Sequence, residues 1–329
     1  MDAQVNTIIT SIITLGLLGM TGYIVGKTGY LPQKTGNVLS GIVIKVTTPI
    51  LIFTTMVNAP FTSKDFSNGL LIYLFGLLFI LIAFFAGSIS TKAMGIKGSA
   101  ASIYKMQSMF GNVIFLAFPL LYALYGNQGI IYAIFFNLAN DTFLWTLGIY
   151  LVNSHKKNNW RKNLRHLING NTMAFAGGLI CIYIGQQKLV AGNDAFNHFY
   201  AFFYNTFNPL GRTTIYLSML FIGLILSGIK IKSMKEFLKK YPLFVVSFFK
   251  LLAIPFAAIA YFYFFGKGID KMVKNIVVLQ LAMPCSTIVP GLAIQHGSDY
   301  NFATEAVFVS TILGLITMPF LVNVLRIFS

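Results

Sequence analysis

Long apolar runs alternate with short polar breaks along the whole chain. Ten runs fall at about 5–26, 37–57, 68–90, 102–125, 129–153, 171–188, 209–229, 241–265, 273–295 and 301–327, each long enough to cross a hydrocarbon core. The breaks are Lys27-Thr28-Gly29-Tyr30-Leu31-Pro32, Asn58-Ala59-Pro60, the stretch Lys92 to Lys97, and Gly126-Asn127. The longest polar stretch, His155 to Asn171, divides the runs into five and five. The pattern predicts an all-α polytopic membrane protein of ten transmembrane helices. Residues 1–153 form a first five-helix repeat, 154–170 a cytoplasmic link, and 171–329 a second repeat. Five is odd, so the second repeat runs inverted. Pro119 and Pro284 are separated by nearly the same interval as Asp141 and Glu305, which agrees with the division.

Two of the runs are interrupted, in corresponding positions of the two halves. One reads Phe110-Gly111-Asn112-Val113-Ile114-Phe115-Leu116-Ala117-Phe118-Pro119, the other Ala282-Met283-Pro284-Cys285-Ser286-Thr287-Ile288-Val289-Pro290-Gly291. A helix broken at membrane depth strands N–H and C=O groups, which is tolerated only against protein or a watery cavity. A matched pair of such breaks points to the binding site of a secondary transporter. An ordinary proline kink explains either one alone. The predicted breaks are at Pro119, Pro284 and Pro290. Half-helix N–H groups after Gly111 and Asn112 attract an anion, and Ser286 and Thr287 add hydroxyls.

Composition supports this picture. The chain is 56% hydrophobic and only 10% charged, with a mean hydropathy of +0.74. A net charge of +16 would suit nucleic acid in a soluble protein. Here the lysines cluster in short loops, as the positive-inside rule expects, so no nucleic-acid partner is expected. Lys27, Lys34, Lys92, Lys97, Lys105, Lys156, Lys157, Arg161, Lys162, Arg165 and the lysines from Lys230 to Lys240 share one side. Fewer, among them Lys64, Lys188, Arg212, Lys267, Lys271, Lys274 and Arg326, share the other. Both termini are therefore expected outside the cell membrane, a bacterial inner membrane. The N-terminus lacks a basic region and cleavage site, so its first run reads as a retained span. Cys181 and Cys285 both lie in apolar runs, which argues against a disulfide framework and a zinc site. No His-Glu-x-x-His, Walker loop or Gly-x-Ser-x-Gly occurs, so no enzyme is expected, and no cofactor or metal.

Charges inside spans are functional suspects by default. Asp141 sits mid-span, one helical turn after Asn137, and suits a proton, a cation or a substrate hydrogen bond. A buried cap for the broken backbone is the structural alternative. Lys250 is mid-span and needs an acidic partner, for which Asp141 and Glu305 are candidates, an anion, or a route to the interface. Glu305 is also placed as a first-turn residue favoured by the helix dipole, with Asn301 as the cap. Lys45 reads as structural. The aromatic stretch from Asn193 to Asn208 reads as an aromatic belt or interfacial helix on the outer face, with stacking or ligand binding as the sharper alternative. Gly22 and Gly26 fit a small-xxx-small helix contact.

The opening Gly22-Tyr23-Ile24-Val25-Gly26-Lys27-Thr28-Gly29-Tyr30-Leu31-Pro32, then Thr48-Pro49-Ile50-Leu51-Ile52-Phe53, resembles the auxin efflux carrier family. So do Gly111-Asn112 to Pro119, Asn208-Pro209-Leu210-Gly211, Ala282-Met283-Pro284 to Val289-Pro290, and Thr317-Met318-Pro319. The family holds plant auxin exporters and bacterial permeases for malate or malonate. The resemblance implies a scaffold of spans one, two, six and seven. Spans three to five and eight to ten would form a moving unit, with spans four and nine crossing at the substrate and an elevator-like cycle. It also implies a homodimer. Asn112 matches the Asn that meets the substrate carboxylate in the plant carriers. Gly111 replaces their proline, and an acid at Asp141 departs from their site. The expected function is a secondary carrier of a small organic anion, a carboxylate such as malate, malonate or an auxin-like acid. Its expected substrate contacts are Gly111, Asn112, Asn137, Asp141, Pro284, Ser286 and Thr287. Coupling to H+ or Na+ stays open, as do a sodium-coupled bile-acid-type symporter and a ligand-binding membrane sensor that transports nothing.

Overall fold

A computed structural model describes residues 2–32, 35–58, 61–153, 167–185, 194–228 and 240–328. His155 to Arg165, Lys188 and Lys230 to Lys239, which carry much of the orientation argument, lie outside the described residues, as does Lys34. Among the described residues the regular structure is helical.

The helices are α1 (Asp2–Lys27), α2 (Thr35–Ile42), α3 (Thr48–Asn58), α4 (Ser63–Ala93), α5 (Gly98–Met109), α6 (Ala117–Phe143) and α7 (Ile149–Val152). There follow α8 (Gly170–Gly185), α9 (Asp194–Ser227), α10 (Tyr241–Phe248), α11 (Ile254–Phe265), α12 (Lys271–Leu281), α13 (Ile288–His296) and α14 (Tyr300–Phe328). Six described segments are long and apolar enough to cross a bilayer: Thr35–Asn58, Ser63–Ala93, Ala117–Val152, Ala201–Ser227, Tyr241–Phe265 and Tyr300–Arg326. Ile13–Lys27 and Gly170–Tyr183 are shorter apolar helices. The runs expected at about 102–125 and 273–295 are each two helical pieces with an irregular stretch between them.

Single π-helical turns join α2 to α3 (Val43–Thr47), α6 to α7 (Leu144–Gly148) and α10 to α11 (Phe249–Ala253). Pro49 and Pro255 follow the first and third of these by two residues. A proline ring clashes with the carbonyl four residues earlier and donates no hydrogen bond, and a widened turn relieves both. The turn at Leu144–Gly148 has no such proline, and its cause is not evident in the sequence.

The chain folds into two compact units, each drawing on both halves of the sequence. The first comprises Met1–Ser67, Ile114–Ile134 and Ile168–Gly228. Its helices α1 and α9 approach so closely that a Cβ on Gly22 would stand 2.2 Å from the Leu220 carbonyl oxygen, and one on Gly223 2.0 Å from that of Gly19. The small-residue contact read at Gly22 and Gly26 is therefore real, with Ser227 facing Gly26. The aromatic stretch is not a separate interfacial helix: α9 runs through it without interruption. Phe203 packs edge-on to Phe53 and against Phe207, and Tyr204 accepts a hydrogen bond from Asn58. Thr62 and Asp65 cap the start of α4 reciprocally. The other oxygen of Asp65 accepts from Gln128 and Tyr132.

The second unit comprises Asn68–Val113, Phe135–Leu167 and Ile229–Ser329. Phe75 and Phe79 of α4 pack on Tyr261 and Phe262 of α11. A second cluster joins Tyr104, Leu243, Val246, Cys285, Ala306, Val307 and Val309 from α5, α10, α14 and the second interruption. Phe110 to Asn112 of the first interruption and Pro284 to Ser286 of the second meet inside this unit.

Candidate functional site at the paired helix breaks

Helix α5 stops at Met109 because Phe110 turns extended (φ −95°, ψ 130°). Helix α12 stops at Leu281, and α13 starts at Ile288. Two extended pieces are left, and Gly111 and Cys285 pair across them as an isolated antiparallel bridge. The Asn112 N–H donates to the Pro284 carbonyl at 2.8 Å, and the Ser286 N–H to the Phe110 carbonyl at 3.1 Å. Pro284 can only accept in such a ladder, and it does. A Cβ at Gly111 would stand 3.2 Å from Met283 Cβ and 3.3 Å from Lys250 Cε. The missing side chain at Gly111 lets the Lys250 side chain lie against the bridge.

Side chains supply partners for further backbone groups at the break. Cys285 N–H donates to Ser310 Oγ at 3.0 Å, and Ser310 donates on to the Ala306 carbonyl. Gln107 Nε2 donates to the Ala303 carbonyl at 3.0 Å and the Ser286 carbonyl at 3.4 Å. Lys250 Nζ donates to the Met109 carbonyl at 3.1 Å. Ile288 N–H, at the start of α13, donates to Ser286 Oγ at 3.3 Å. Buried backbone polar groups need such partners, above all where no water competes. Gln107 and Ser310 carry no charge and belong to no motif, so their role was not legible in the sequence. A glutamine inside an apolar run was the available signal for Gln107.

Most of the sequence-predicted residues meet here. Gly111 pairs with Cys285, which was not among the expected residues, and Asn112, Pro284 and Ser286 make the flanking hydrogen bonds; Asn112 and Ser286 are 3% and 2% exposed. Thr287 precedes α13, and its hydroxyl finds no partner among the described residues. Asn137 and Asp141 meet on α6, with Asn137 Nδ2 donating to Asp141 Oδ2 at 3.4 Å. Both are buried.

Three expectations change. Pro119 and Pro290 are not themselves the breaks: each is the third residue of a helix, α6 and α13 respectively. A proline is comfortable in a first turn, where its missing N–H would be unpaired anyway. Glu305 is an ion-pair partner of Lys240, at 2.5 Å, and not of Lys250. The cap before it is Asp299, whose carboxylate accepts from Phe302 N–H, rather than Asn301. No carboxylate among the described residues lies within ion-pair distance of Lys250, which is 2% exposed. Lys45, by contrast, is exposed.

Among the described residues no group of three or more His, Cys, Asp or Glu could hold a metal ion. The break itself offers the Asn112 amide, the Ser286 and Thr287 hydroxyls and the buried Lys250 ammonium, and Asp141 on α6 adds a buried carboxylate.

Comparison with known proteins gives this arrangement a context. Residues 7–163 and 159–322 match the family model described as membrane transport protein. A protein of Methanothermobacter thermautotrophicus described as an uncharacterized transporter is 26% identical over 313 residues, 94% of this chain and 95% of that one. A second protein so described, from Methanocaldococcus jannaschii, is 22% identical over 306 residues, 92% of this chain and 94% of its own. Matched along nearly its whole length, the chain belongs to the membrane transport protein family, that of the auxin efflux carriers, and is a multi-pass membrane transporter.

Proposed function

We propose that the chain is a secondary active carrier of a small organic anion, a carboxylate such as malate, malonate or an auxin-like acid. In this reading ten spans form two inverted five-helix repeats, spans four and nine cross at the substrate, and an elevator-like motion carries it across the cytoplasmic membrane. Both termini lie outside, and the carrier works as a homodimer. The observation that carries the reading is the backbone pairing of Gly111 with Cys285. It joins the two interruptions in one unit, as a transporter's discontinuous helices require.

The anion preference follows from the termini. Helix α13 begins beside the break with its positive dipole end and the Thr287 hydroxyl. Asn112, Ser286 and Thr287 hold the carboxylate, with Gly111 and Pro284 shaping the backbone. Asn137 and Asp141 supply the group that takes a coupling proton or cation.

Purified protein is screened by thermal shift against dicarboxylates, keto acids and indole acids, and hits are tested for counterflow in proteoliposomes. The reading predicts stabilisation by at least one class and accumulation of that labelled acid against an unlabelled internal pool. Stabilisation without counterflow would favour a non-transporting sensor and contradict the carrier.

A further inference from the structure

Among the described residues Lys250 has no counter-charge within ion-pair distance. It is 2% exposed, it lies in the π turn between α10 and α11, and it is in a chain that crosses a bilayer. Its ammonium donates to the carbonyl of Met109, the last residue of α5. Other carbonyls near the end of α5 are already engaged: Met106 accepts from Phe110 N–H, Phe110 from Ser286 N–H, and Gln107 from the Cys285 thiol. A broken helix ends in unpaired carbonyls and the negative end of its dipole. In carriers with discontinuous helices, such half-helix C-termini and unwound carbonyls are where a coupling cation is held. Here a side chain of the protein already reaches that position. A Cβ on Gly111 would come within 3.4 Å of Lys250 Nζ, so the ammonium sits against the bridge itself.

We propose that Lys250 supplies from within the protein the positive charge that a bound alkali cation would otherwise bring to the end of α5. The break is then held together without sodium. The lysine acts as a positioning residue, fixing the Met109 carbonyl so that Phe110 and Gly111 can turn out and pair. The consequence for transport rests on the carrier reading: alkali-cation coupling at this end of the break is replaced, and any coupling falls to Asp141. The cation requirement itself does not rest on that reading.

The test is the apparent melting midpoint of the purified full-length protein in choline chloride and in sodium chloride of equal ionic strength. The unmodified protein is expected to melt at the same temperature in both. Lys250→Arg keeps the charge and is expected to match it. Lys250→Met keeps the apolar volume without the charge and is expected to melt lower in choline. Lys250→Ala removes the atoms of a propylammonium ion. Its midpoint is expected to fall in choline and to rise saturably with added sodium or n-propylammonium. A saturable sodium stabilisation of the unmodified protein would overturn the proposal. So would Lys250→Met melting with Lys250→Arg in choline, or Lys250→Ala recovering with neither cation. Absence of malate counterflow would count against the carrier reading while leaving this comparison intact.

Discussion

Individual side chains decide whether the broken backbone is tolerable. Ser310 accepts the Cys285 N–H, and both are buried. Ser310→Ala strands that donor, and leaving a buried donor unpaired costs about 1–3 kcal/mol. A lower melting midpoint is expected, with Ser310→Thr keeping most of the stability. Gly111 has a different constraint. Its φ is not positive, so the need is for space: Met283 Cβ and Lys250 Cε leave little room for a methyl group. Overpacking of this kind costs roughly 1–3 kcal/mol. Gly111→Ala should therefore melt lower and bind the screened acid more weakly, and an unchanged melt would show that the bridge yields easily. Lys250 belongs to the same set. The sequence marked it as a charge in need of a partner, but the expected partner was a carboxylate. The partner is a carbonyl, because a broken helix offers its own negative end.

At the scale of helices, two glycines set the path of the chain. Gly126 has φ 61° and ψ −146°, a conformation open essentially to glycine, and it separates the two parts of α6. Gly126→Ala is expected to destabilise by about 1–3 kcal/mol, read as a lower melting midpoint with the helical signal retained. Gly223 lets α9 reach the Gly19 carbonyl of α1. Gly223→Leu is expected to separate these helices and to expose α1 to limited proteolysis. Unaltered proteolysis would contradict that packing. The positions of the long helices were legible from apolar runs alone, because a bilayer-spanning helix needs little else. The start of α9 was not, since an aromatic stretch looks alike as an interfacial belt or as a helix packed on Phe53 and Asn58. The π turns were also unread. Their register change leaves no mark in hydropathy, although Pro49 and Pro255 were the physical cue for two of them.

For the whole molecule, both interruptions were legible in the sequence, as were four residues of their pairing, Gly111, Asn112, Pro284 and Ser286, but not Cys285, which faces Gly111. They were legible because glycine, asparagine and proline at membrane depth have few structural uses. Gln107 and Ser310 were not, since their role depends on neighbours distant in the chain. The pairing of Glu305 with Lys240 rather than Lys250 was illegible for the same reason. The central claim is that the bridge of two broken helices is where an organic anion is carried. Counterflow of labelled malate into proteoliposomes, comparing the unmodified protein with Asn112→Ala at equal reconstituted amounts and matched melting midpoints, tests it most directly. The account predicts transient accumulation for the unmodified protein and at least a tenfold loss for Asn112→Ala, about 1.4 kcal/mol of lost recognition. Equal accumulation by both proteins would contradict it.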